Sequence, residues 1–179
     1  MATLNPHLAA ARIVQDAGGE LVGRTRLQKI AFLLGLAGFD DEFSFEYRHY
    51  GPFSEDLAQA MEIAAALGPV REEERAADWG GRYSVYKLEN PVAATDPDRA
   101  HFVQEAKRID AVELELAATA AYLFVHEGIG AAVAGNPWHE TQRRKPSKAG
   151  SGRLERAAVA YERLRSVKTN KALPTLPNP

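Results

Sequence analysis

A chain of 179 residues, 45% hydrophobic and 26% charged, has enough apolar mass to bury one core and enough charge to solvate it, which excludes global disorder. The absence of cysteine excludes disulfides, thiolate nucleophiles and cysteine-ligated zinc, and points to a reducing, cytoplasmic compartment. The net charge of −2 conceals an asymmetry: residues 1–141 hold 12 Lys/Arg against 22 Asp/Glu (net −10), whereas residues 142–179 hold 10 against 2 (net +8), so a polyanionic partner would have to meet the C-terminal segment.

Met1–Gln15 lacks the basic flank and apolar run of a leader peptide. The longest apolar stretch, Ala117–Val125, is interrupted by Thr119 and falls short of the ~20 residues of a membrane span. No membrane partner is expected.

In chain order, Asn5-Pro6 reads as an N-cap and first helical residue, with Leu8, Ala9, Ile13 and Ala17 as the inward stripe of a helix over 6–17 that Gly18-Gly19 ends. Thr25 and Gln28 read as a capping box opening a second helix. In it Leu27, Ile30, Ala31, Leu34 and Ala37 recur at helical spacing while Phe32, Leu33 and Leu36 cover much of the remaining surface, which predicts burial on several sides at the centre of the core. Phe43, Phe45 and Tyr47 alternate with polar residues as in a short strand. After a break at Gly51-Pro52, Ser54 caps a third helix whose inward residues are Leu57, Met61, Ala64, Ala65 and Leu67. Val70–Ala76 and Arg82–Leu88 flank Gly80-Gly81 as a hairpin. Asp96-Pro97 opens a fourth helix with Phe102, Val103, Ala106 and Ile109. Asp110 with Glu113 opens a fifth with Val112, Leu116, Ala120, Leu123 and Phe124.

Gly128–Pro137 reads as a loop or short helix and Pro146–Gly152 as a polar linker. A last helix turns Leu154, Ala157, Ala158, Tyr161 and Leu164 inward, with Arg153, Arg156 and Arg163 outward. Proline-rich residues 168–179 read as a flexible tail. The pattern predicts a mostly helical α+β chain: a winged-helix-like core with a hairpin wing over 1–92 and a C-terminal helical extension over 93–167.

Gly23-Arg24-Thr25-Arg26-Leu27-Gln28-Lys29 followed by Tyr50-Gly51-Pro52-Phe53-Ser54-Glu55-Asp56-Leu57 resembles the G-R-x-x-L-Q-K … Y-G-P-[YF]-S-x-x-L signature of YwgA-like proteins. It is more distantly similar to the L-Q-K … Y-G-P core of Panacea-domain antitoxins, SocA-like ones among them. The resemblance extends through Leu114–Ala120 and Arg144–Lys148 to the closing helix, about residues 5–166. It implies a bacterial-type protein with a winged-helix-like fold and a regulatory or antitoxin-like role, and it marks Arg24, Arg26, Gln28, Lys29, Tyr50, Gly51, Pro52 and Ser54.

Arg24, Arg26 and Lys29 oppose the positive end of the second helix's dipole, which a compensating anion or acidic partner would relieve; otherwise Arg26 and Lys29 pair with acidic neighbours such as Asp40, Asp41 or Glu42, or lie in solvent. Tyr47 and His49 are candidate pocket residues, without a carboxylate or second histidine at catalytic spacing. Arg143, Arg144, Lys145, Lys148, Arg153 and Arg156 are candidate anion or nucleic-acid contacts, with Trp138 placed to stack on a base, or else a solvated face. In a DNA-reading winged helix the helix before the wing carries cations. Here it carries Glu55, Asp56, Gln59 and Glu62.

His126-Glu127 and His139-Glu140 lack the second zincin histidine, and neither a nucleophile elbow nor a Walker lysine is present. No catalytic residue, metal or cofactor is therefore expected. The expectation is a non-enzymatic regulatory or protein-interaction module that binds another protein or itself as a homodimer. The alternative is a nucleic-acid-binding transcriptional regulator using the C-terminal basic segment.

Overall fold

The computed structural model of the protein describes residues 5–179; residues 1–4, the start of the segment read for a leader, lie outside the described residues. Among the described residues it is a mostly helical α+β chain with eight helices and two small antiparallel sheets.

Helix α1 (Pro6–Asp16) starts where Pro6 predicts, although Asn5 makes no side-chain cap. Ala9 and Ile13 are buried, but Leu8, expected inward, is 44% exposed. The turn after α1 leads into β1 (Glu20–Val22), a strand too short to carry a periodic signal. Helix α2 (Arg24–Leu36) begins at Arg24, not at the expected Thr25 cap: its N-cap is Gly23 at φ +97°, and no side chain caps it. Residues Leu27 to Leu34 are all buried, as the all-round apolar pattern predicts.

The expected strand from Phe43 is shorter, β2 (Glu46–Arg48), and Gly51-Pro52 is not a break but part of its partner β3 (Gly51–Phe53), with Tyr47 opposite Pro52. Pro52 is tolerated because the sheet has only two strands, so no neighbour demands its missing N–H. Ser54 then caps α3 (Glu55–Leu67), its Oγ accepting from the Leu57 N–H at 3.2 Å. Leu57, Met61 and Ala64 are buried, whereas Leu67, expected inward, is 66% exposed.

Strands β4 (Val70–Ala76) and β5 (Arg82–Leu88) form the predicted hairpin, and β1 adds to β5, giving the order β1-β5-β4. Helices α4 (Pro97–Lys107) and α5 (Ala111–His126) carry the predicted Asp96 and Asp110 caps. Helix α5 buries Leu114 through Ala121 without interruption and packs against α2 and β3, so it shares the centre of the core with α2. Arg99 on α4 is buried and donates to Asp16 of α1 and to Asp40 beyond α2, the latter at 3.2 Å. Asp40 is thereby taken by α4 and not by Arg26 or Lys29.

Helix α6 (Pro137–Arg144) follows the stretch read as a loop, and the segment read as a linker holds the one-turn α7 (Pro146–Ala149) before α8 (Arg153–Arg165). The expectation of a flexible tail over 168–179 gives way to a packed segment. Leu173 and Leu176 are buried, the Lys171 N–H donates to the Ala37 carbonyl at 2.9 Å, and the Tyr161 hydroxyl donates to the Pro174 carbonyl at 2.8 Å. Two leucines among the prolines supply the apolar anchor. No described helix is long and apolar enough to cross a membrane.

Candidate functional site

Of the signature residues, Gln28, Lys29, Gly51, Pro52 and Ser54, far apart in sequence, meet where α2, the β2–β3 hairpin and α5 come together. Gln28 does not complete a capping box. Its side chain is buried and clamps Ser54 in both directions, Nε2 donating to the Ser54 carbonyl at 2.9 Å and Oε1 accepting from the Ser54 N–H at 2.8 Å. An amide is the side chain that offers a donor and an acceptor side by side for this. The adjacent Lys29, fully buried, donates from Nζ to the Pro52 carbonyl at 2.8 Å. Gly51 adopts φ +87° and lies so close to Thr119 of α5 that a Cβ there would collide with Thr119 Oγ1. The signature is a fastening between helix and hairpin.

Behind it sits a charge cluster. Glu115, on the buried face of α5, accepts from Lys145 Nζ at 2.9 Å and from Lys148 Nζ at 2.8 Å, and Lys145 Nζ also donates to the His49 carbonyl at 2.6 Å. Lys145, at the end of α6, and Lys148, in the segment read as a linker, thus converge on one carboxylate. Burial pushes the Lys29 ammonium down to about 7; Glu115 opposes the shift, and Lys145 and Lys148 add to it.

A pH dependence follows. Between about pH 7 and the ordinary lysine value of 10.5, unfolded Lys29 holds a proton that the folded protein lacks, so this residue makes stability rise with pH across that window and contributes no slope below it. The expected slope approaches about 1.4 kcal/mol per pH unit. Urea midpoints at pH 7, 8 and 9 for wild type and Lys29→Met check it; identical slopes in the two proteins would contradict the assignment.

The remaining candidates are engaged elsewhere. Arg24 pairs with Glu72 of β4 at 2.7 Å, and Arg26 donates to the carbonyls of Val22 and Ile109 at 3.2 and 3.0 Å and does not meet Asp40, Asp41 or Glu42 as expected. Tyr47 does not open onto a pocket with His49: the Arg144 guanidinium covers its ring at 4.9 Å and Tyr122 packs against it at 6.0 Å, while exposed His49 lies edge-on to Tyr50. Trp138, expected to stack on a base, is buried edge-on to Tyr161.

In the basic segment, Arg143 pairs with Glu140, Arg144 with Glu140 and Glu127, Lys145 and Lys148 with Glu115, and Arg156 with Glu113. Arg143, with Arg144, holds the Glu140 carboxyl down at about 2. Only Arg153 of the six has no ion pair among the described residues.

Sequence reasoning missed Glu115 and Thr119 as site residues. The available signal was a lone carboxylate in the apolar run Leu114–Leu123, since a charge on a buried helix face requires partners. No cluster of three or more metal-ligating side chains occurs among the described residues.

No family model matches the chain, and no solved structure matches it. The chain is similar to an uncharacterised protein of Bacillus subtilis (strain 168), YwgA, with 28% identity over 127 residues that cover 66% of this chain and 75% of the relative.

Proposed function

We propose that the chain is a non-enzymatic, cytoplasmic regulatory or protein-interaction module with a winged-helix-like core, binding another protein or a second copy of itself. The observation that carries this reading is the internal neutralisation of the basic segment. Five of its six cations are spent on carboxylates of the same chain, and counterion release needs cations free to meet phosphate. The wing is similarly self-paired, through Arg24–Glu72, Arg75–Glu73, Arg82–Glu74 and Arg71–Glu89. The outer face of α3 exposes Glu55, Asp56, Gln59 and Glu62 and no cation. These features disfavour the alternative of a nucleic-acid-binding regulator.

Apolar side chains in solvent support a protein partner: Ile63 and Leu67 on α3, Leu8 and Val92 beside a groove of about 530 Å³, and Trp79 at the wing tip. The likeness to Panacea-domain, SocA-like proteins extends the proposal to an antitoxin-like role.

Chromatography of the full chain on duplex DNA at low and moderate salt tests the reading. Elution without retention at both salts is expected. Retention at low salt that collapses with rising salt is the signature of phosphate contacts and overturns it. Light scattering giving a monomer at all concentrations removes the self-association form and leaves a heterologous partner.

A further inference from the structure

The charge around Glu115 does not balance. Lys145 and Lys148 share its carboxylate, two ammonium groups to one acid, while Lys29, whose own ammonium burial holds down to about 7, gives its hydrogen bond to the Pro52 carbonyl. The carboxylates on the neighbouring elements are committed elsewhere, Glu127 and Glu140 to Arg144 and Arg143, Glu46 and Glu55 to Arg48. A buried cation excess is costly unless an anion joins it.

Lys148 is the member of the cluster that reaches solvent: its side chain is 28% exposed, against 5% for Lys145. Its ammonium lies 4.5 Å from the ring centroid of Tyr50, itself half exposed and flanked by His49. A half-exposed aromatic ring beside a cation that shares its one carboxylate with a second lysine suits a side chain that brings negative charge with apolar neighbours. A nucleic-acid strand suits it poorly, because the surrounding Arg48, Arg143 and Arg144 are already paired and one partly exposed ammonium, itself shared with Glu115, cannot hold a run of phosphates.

We infer that this corner receives a carboxylate from an acidic segment of a partner protein, with Lys148 as the contacting cation and Tyr50 as the apolar lip. The inference rests on the interaction-module reading and gives that partner its chemistry.

Titration of the full chain with an acetylated hexaglutamate peptide at low salt, followed through the Lys148 side-chain and Tyr50 ring NMR resonances, tests it, with inorganic phosphate titrated in parallel. Saturable peptide binding is expected, weakened roughly fivefold or more by Lys148→Gln, weakened by Tyr50→Ala, and unchanged by Arg163→Gln, a distant exposed position on α8. Absence of saturable binding, equal binding by Lys148→Gln, or binding of phosphate without the peptide each overturns the site. Failure here with no retention on DNA leaves the interaction module standing, whereas retention on DNA removes the module whatever the peptide does.

Discussion

Replacing Glu115 by glutamine is expected to destabilise the protein by about 3–5 kcal/mol, the range for breaking a buried ion pair by removing one partner. The glutamine fills the same space, so little cavity energy enters, and what is lost is the only negative charge among Lys29, Lys145 and Lys148. Lys148 has a route to relief, because its half-open side chain can swing into water. Lys145 has none: it is buried and tied to the His49 carbonyl. Relief by removing a cation separates electrostatics from packing, so Glu115→Gln combined with Lys145→Met is expected to recover part of the loss. Urea denaturation reads both changes as midpoint shifts at constant slope. A cost under about 1 kcal/mol for the single substitution would place the cluster among surface pairs of small worth and contradict the account of α5 given above.

Gly51→Ala is expected to cost about 2–5 kcal/mol. A left-handed φ of +87° costs a non-glycine residue about 1–2 kcal/mol, and forcing an extra carbon against a packed helix adds about 1–3 kcal/mol. The collision is with Thr119 Oγ1, a hydroxyl that cannot simply rotate away because it donates to the Glu115 carbonyl at 2.7 Å. Thr119→Ala on the Gly51→Ala background removes the obstructing oxygen and is expected to return the steric share while leaving the backbone share. Thermal and urea unfolding of the four proteins of this cycle check the division. If Gly51→Ala matches wild type, the hairpin does not approach α5 as closely as described.

Much of the fold was legible in the sequence because its signals are local. Ser54, Asp96 and Asp110 announce their helices because a side-chain oxygen two or three residues from an orphan N–H needs nothing else from the fold. Gly80-Gly81 marks the turn of the β4–β5 hairpin for the same reason. The all-round apolar stretch of α2 forecast burial. Local rules also misled. Thr25 and Gln28 have capping-box spacing, yet the Gln28 amide found a better pair of partners in the Ser54 backbone, 26 residues away. Strand β1 escaped notice because three residues cannot display a period, and the proline-rich C-terminus read as flexible because its two anchoring leucines signal nothing until a surface exists to receive them.

The candidate site divides in the same way. Composition and spacing alone determined the helix-rich α+β class, the hairpin, the acidic third helix and the segregation of positive charge at the C-terminal end. Only the tertiary structure decided what that charge does, because Coulomb and hydrogen-bond energies depend on distance in space, and Lys148 lies 33 residues from Glu115 along the chain but 2.8 Å from it in the fold. The sequence shows how many cations there are; folding determines which of them are left unsatisfied.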